Sequence, residues 1–117
     1  MLNTLDRFCR GMDISGITHA KHNRPRFKPG RREEARRLLL DFFAQNEGRV
    51  QGFKGYLLLD STSDPQEEIV ITFWASKEDM DAFYKSEAFG SFAEMGRQFF
   101  ESQPERKDMA VIDFKIA

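Results

Sequence analysis

A single cysteine, Cys9, leaves the chain without an internal disulfide and without thiols at metal-ligand spacing. There is no long apolar run, which excludes a membrane-spanning helix, and Met1 to Asp13 lacks the apolar segment of a secretory signal. An excess of either charge is missing too. Eighteen Lys and Arg stand against 19 Asp and Glu, a net charge of −1, and the isoelectric point near 6.1 argues against a dedicated nucleic-acid binder. No zinc-type, P-loop, dinucleotide or nucleophile-elbow motif occurs, and no internal repeat or low-complexity tract. The expectation is a cytoplasmic single-domain protein with no metal, cofactor, nucleic-acid or membrane partner. The missing flavin and nicotinamide signatures fit a cofactor-free enzyme and a non-enzyme equally well.

What is present is a soluble globular composition: 117 residues, 40% hydrophobic and 32% charged, enough for one domain and no second core. Twelve Phe are generous for this length, so some are expected to line a cavity or an interface. Residues 1–13 read as an N-terminal arm, and 14–117 as the folded domain. A first strand is expected from Ile14 to about Arg24. Pro25 and Pro29-Gly30 then break the chain before a helix whose Ala35, Leu38, Leu39, Phe42 and Phe43 form one apolar stripe. Glu33 and Arg37 stand at i, i+4 on it, and Gly48 reads as its stop.

Phe53 to Asp60 and Glu67 to Trp74 are β-branched or aromatic runs around the turn residues Ser61 to Pro65, an antiparallel hairpin. Ser76 with Asp79 resembles a capping box, starting a helix over about Lys77 to Lys85. Ser86 caps a further helix, ended by Gln103-Pro104, with Phe89, Phe92, Ala93, Gly96, Phe99 and Phe100 in stripe. The alternation of Ala110, Ile112, Phe114 and Ile116 predicts a last strand from about Asp108 to Ile116. The order β-α-β-β-α-β predicts an α+β, ferredoxin-like fold: a four-stranded antiparallel sheet and a broken second helix. Tyr56 to Leu59 and Ile69 to Ile71 are apolar on both faces. A sheet with one wet face alternates more cleanly, so a homodimer packed through the open sheet face is expected.

In this order, Phe27-Lys28-Pro29-Gly30-Arg31-Arg32-Glu33-Glu34-Ala35, Gly52 to Tyr56, Ile71 to Glu78 and Phe83 to Phe89 resemble the antibiotic biosynthesis monooxygenase family. That family lies in the dimeric α+β barrel superfamily, and the resemblance covers roughly Ile14 to Ile116. It implies a small-molecule substrate met by O2 without a cofactor, or a relative of the haem-degrading branch, or a protein with no reaction at all, since a shared fold does not transfer a function.

Trp74 resembles the strand-end tryptophan that family members place at their substrate cleft, where an indole stacks on a planar substrate and donates one hydrogen bond. Its competing role is a core plug, and a fully enclosed indole with no cavity beside it would overturn the oxygenase reading built on Trp74 stacking. Val70 and Thr72 are its same-face neighbours. Tyr84 and Arg97 are candidates for a hydroxyl and a cation. Asn23 resembles the first-strand asparagine of the haem-degrading branch and is a candidate to orient a substrate oxygen. That branch also needs a helical histidine, which Phe89 to Glu94 lacks. His19 and His22 point to opposite faces of a regular strand and cannot grip one metal together; His19 shares a face with Asn23 and is a candidate general base. Lys21, Arg24, Arg26, Lys28, Arg31 and Arg32 form either an anion site or, preferably, a solvated charged edge. The leading expectation is a cofactor-independent monooxygenase using Asn23, Trp74, His19 and Tyr84. Its rivals are a non-catalytic binding or structural dimer, and a haem binder.

Overall fold

The computed structural model describes residues 15–117. The expected N-terminal arm, Cys9 and Ile14 lie outside the described residues. Four strands, β1 (His19–Arg24), β2 (Phe53–Asp60), β3 (Glu68–Trp74) and β4 (Glu105–Ala110), form one antiparallel sheet in the order β2-β3-β1-β4. Between them run α1 (Arg32–Asn46), α2 (Lys77–Tyr84), α3 (Glu87–Gly96) and a 3₁₀ turn, Arg97–Phe99. This is the expected α+β ferredoxin-like arrangement, and the second helix is broken as expected.

The break has a local cause. Ser76 Oγ accepts the Asp79 N–H at 3.0 Å and starts α2, and Ser86 Oγ accepts the Phe89 N–H at 3.2 Å and starts α3. A capping residue needs extended backbone, and Ser86 has φ −73° and ψ 156°, so the chain must turn out of α2 to begin α3. Just before β2, Gly52 holds φ +76°, and its carbonyl accepts the Ala75 N–H at 2.8 Å. A Cβ at Gly52 would run into the Asp79 side chain, so that turn takes glycine on two counts.

Strict alternation along β3 sets the layers. Glu68, Val70, Thr72 and Trp74 are buried towards the helices, while Ile69, Ile71 and Phe73 face the other way. Trp74 and Met80 are completely enclosed, with Phe53 and Phe83 packed on the indole at ring-centroid distances of 5.3 and 5.2 Å. The opposite face carries Leu57, Leu59 and Met109, each between 43% and 49% exposed, beside Ile69 and Ile71. This is the apolar second face that the sequence implied.

Both outer boundaries differ from expectation. β1 starts at His19 rather than Ile14, because a turn at residues 15–16, with Gly16 at φ +76°, precedes it. β4 is Glu105–Ala110 and not 108–116. Its register runs from Arg24↔Glu105 to His19↔Ala110, and one further bond, Val111 N–H to Thr18 C=O at 2.9 Å, exhausts β1. The alternating residues beyond leave the sheet: Phe114 crosses edge-on over Phe73, and Ile112 is exposed. On α1, Glu33 pairs with Arg36 at 3.3 Å, one position short of the expected Arg37.

The basic segment is a paired edge. Lys21 meets Asp108, Arg24 meets Glu67, Arg26 meets Asp64 and Glu101, Arg31 meets Glu34, and Arg32 meets Asp60. With five of its six cations so engaged, Lys28 aside, it offers little to an anionic ligand. No helix among the described residues is long and apolar enough to cross a membrane.

Candidate functional site

A cavity of about 80 Å³ lies between the helices and the sheet. The whole apolar stripe of α1 (Ala35, Leu38, Leu39, Phe42 and Phe43) forms one wall, with Phe89 and Phe92 of α3 and Val70 of β3 among the others. Phe42 and Phe92 stack at 4.2 Å, closing the aromatic side. What reads as a core-facing stripe is thus a core face with a gap in front of it. Five polar residues interrupt this lining: Asn23, Glu68, Thr72, Tyr84 and Arg106.

Four of these belong to one network. The Trp74 indole N–H donates to Thr72 Oγ1 at 2.9 Å, and since an indole nitrogen only donates, Thr72 is the acceptor there. The Thr72 hydrogen is then free for Tyr84 Oη, 3.0 Å away. The Asn23 amide is oriented without ambiguity: Nδ2 donates to the carbonyls of Val70 (3.0 Å) and Lys21 (3.2 Å), and Oδ1 accepts from Arg106 Nε at 3.1 Å. Nδ2 also reaches Tyr84 Oη, at 3.4 Å. Thr72 Oγ1 keeps a second lone pair, so the Thr72–Tyr84 bond runs in either direction, and when Thr72 donates the Tyr84 hydrogen is left for a cavity occupant. Burial pushes the Tyr84 phenol above its ordinary value, against the hydrogen bonds of Thr72 and Asn23, so it stays a donor at neutral pH.

Glu68 stands apart, two positions along the same strand face from Val70. Its carboxyl is hydrogen-bonded to Asp60 on β2 and lies 3.4 Å from Arg36 of α1. Arg36 also pairs with Asp60, and Arg32 reaches Asp60 at 3.6 Å. Burial first, then the Asp60 hydrogen bond and charge, push the Glu68 carboxyl up to about 7. Burial opposes the Asp60 charge as well, but hydrogen bonds from Glu68 and Arg36 outweigh it and hold that carboxyl below the usual range. Below about pH 7 Glu68 thus donates to an ionised Asp60, and above it both carboxyls are charged beside Arg36 and Arg32.

Asn23 and Tyr84, both anticipated, meet at the cavity. Trp74 is placed differently: it is fully buried and forms no part of the cavity wall, so the stacking role does not fall to it, and its indole fixes Thr72 from behind. His19 does share a sheet face with Asn23, as its pairing with Trp74 shows, but its Nδ1 is taken up with Thr18 Oγ1 at 2.8 Å, outside the cavity. His22 pairs with Ile71 on the opposite face. Arg97 is exposed, 3.0 Å from Glu94, and the cation at the cavity is Arg106. Two residues were not anticipated. Glu68 carried a readable signal, an acid in phase with Val70, Thr72 and Trp74. Arg106 carried none, because its strand reads as a charged loop.

Fold and cavity together define an α+β protein with a small, aromatic-walled pocket and a few converging polar groups, the form of a small-molecule site. The model of the antibiotic biosynthesis monooxygenase family matches residues 18–95, and the chain belongs to that family. Among solved structures it is similar to a candidate antibiotic biosynthesis monooxygenase from Caulobacter crescentus CB15 (TM-score 0.74, 14% identity, 83% of this chain and 92% of that one). It is also similar to a mutant of SnoaB, a cofactor-independent oxygenase from Streptomyces nogalater (TM-score 0.72, 15% identity, 83% and 95%). A conserved protein from Methanosarcina mazei Go1 matches comparably (TM-score 0.71, 14% identity, 81% and 93%). At such identities the likeness is one of fold. Comparison with curated proteins finds no match.

Proposed function

We propose that this chain is a cofactor-independent monooxygenase that oxidises a small, electron-rich aromatic of quinol type with O2. The observation that carries the reading is the Tyr84 hydroxyl, placed at an aromatic cavity within hydrogen-bond reach of Thr72 and Asn23, where it donates to an occupant when Thr72 donates to it. Loss of a hydroxyl proton makes the substrate an anion electron-rich enough to react with O2. Tyr84, with the Arg106 cation near, stabilises the oxyanion in a largely dry site. The substrate supplies all four electrons: one oxygen atom stays on the ring carbon and the other leaves as water. No external reductant is needed. A volume of about 80 Å³ favours one ring, being below the roughly 300–1,000 Å³ of drug-sized sites.

The same reading includes a homodimer through the open face, supported by the exposed Leu57, Leu59 and Met109. The converging polar groups weigh against a purely structural role. The lining residues do not fit haem: they include no His, Cys or Met, Tyr84 is already hydrogen-bonded, and the volume is too small. The test is oxygen uptake by metal-free protein against hydroquinones and anthrones, with Asn23→Ala and Tyr84→Phe as controls. Uptake above autoxidation, greater with hydroquinones and reduced in both variants, is expected. Uptake equal in all three proteins would refute the site.

A further inference from the structure

Glu68 lines the cavity, is only 1% exposed, and has no part in the hydroxyl network around Tyr84. Burying an ionisable carboxyl costs free energy that an apolar side chain at the same position would not, so its presence in an aromatic wall asks for a use. Among the lining residues it is the only carboxyl, and none is a histidine or lysine. The groups that face it are Asp60 from β2 and Arg36 from α1, with Arg32 acting through Asp60; Pro25 and Phe27, beside it in the lining, carry no charge. Two carboxyls joined by a hydrogen bond and flanked by two arginines can hold one proton or release it while the local charge stays nearly balanced. Counted along β3, Glu68 and Thr72 are about 13 Å apart at ~3.3 Å per residue, so the hydroxyl that Glu68 faces and the oxygen that Tyr84 faces are different atoms of a two-oxygen ring substrate.

We propose that Glu68 is the proton-accepting catalytic residue of this cavity, taking the hydroxyl proton of a phenol or enol. The O–H bond breaks heterolytically: the proton passes to a Glu68 carboxylate oxygen, and the electron pair stays on the substrate oxygen. This fills the role that His19, outside the cavity, does not. A near-neutral carboxyl is a stronger base than an ordinary glutamate and is still ionised in part near neutral pH. The oxygenase reading supplies the reaction that follows, but the proton transfer stands apart from it.

The test is therefore made without turnover. The probe is 4-nitrophenol, added at about pH 8, where the free phenol is mostly ionised and Glu68 mostly charged. Phenolate beside a protonated Glu68 is the product of the proposed transfer, so wild-type protein is expected to take up a proton on binding it, read by calorimetry in buffers of different ionisation heat. Glu68→Gln, checked for folding by its thermal melt, is expected to bind it without uptake. Asp60→Asn, at a position away from the core, removes the charge that strengthens Glu68 as a base and is expected to take up less than wild type. Equal uptake in wild type and Glu68→Gln, or no binding to wild type, overturns the proposal. In oxygen uptake, Glu68→Gln is expected to lose about 10²–10⁴-fold in kcat/KM. Protein that takes up the proton through Glu68 but consumes no oxygen would sink the oxygenase reading and leave the proton acceptor standing.

Discussion

Replacing Glu68 by glutamine should change how stability depends on pH, with a sign and size that follow from the buried pair. Folding raises the Glu68 carboxyl from 4.5 to about 7, so between those values the folded protein holds a proton that the unfolded chain has released. Stability drawn from Glu68 is fully present below the lower value and is lost as pH rises through the upper one. At ~1.4 kcal/mol per pH unit the loss is on the order of 3 kcal/mol. Asp60 acts in the opposite sense and at lower pH: its stabilisation is present above 3.8 and is lost as pH falls through its depressed folded value. The glutamine side chain keeps an N–H for Asp60 but does not titrate. Urea unfolding of both proteins at several values between about pH 4 and pH 8, compared at constant m, isolates the effect. The stability of Glu68→Gln relative to wild type should climb by up to about 3 kcal/mol across that interval. Parallel curves would refute the upward shift assigned to the buried Glu68 carboxyl.

Further expectations concern packing and assembly. Trp74→Ala should lower stability by about 3–5 kcal/mol, because it empties a fully enclosed site, whereas Trp74→Phe should fold and lose activity through the freed Thr72; urea melts and oxygen uptake separate the two. Gly52→Ala should lower the melting temperature, and Asp79→Ala made together with it should return part of the loss, since the added Cβ meets that side chain as well as a strained φ. If the proposed open-face homodimer forms, Leu57→Lys with Leu59→Lys should halve the particle mass in light scattering while leaving the monomer folded; an unchanged mass would refute that dimer.

How much was legible depended on whether a local pattern and its tertiary use agreed. The β3–α2 junction was readable because an apolar alternating run meets a serine cap, and both rules act within a few residues. α1 was readable as a helix, but its stripe from Ala35 to Phe43 looks the same whether it meets a packed sheet or a cavity, so the pocket itself was not. β4 was misread for a physical reason. An edge strand carrying Glu105, Arg106, Lys107 and Asp108 is protected from aggregation by those charges and so resembles a loop, while the tail after Ala110 alternates because it crosses an apolar face. That error hid Arg106, whose place beside Asn23 follows only from the β1–β4 register. Trp74 sits at the strand end where a cleft tryptophan would, but residue type does not say which way an indole faces; burial beside Met80, Phe53 and Phe83 does.

The most direct test of the central claim is the oxygen-consumption rate of Tyr84→Phe with a hydroquinone that the wild-type protein oxidises. Removing one hydroxyl from a buried oxyanion site should cost about 10²–10³-fold in kcat while the fold and phenol binding persist. A Tyr84→Phe variant as fast as wild type would contradict the account, because no chemistry could then be ascribed to the hydroxyl that Thr72 and Asn23 hold towards the cavity.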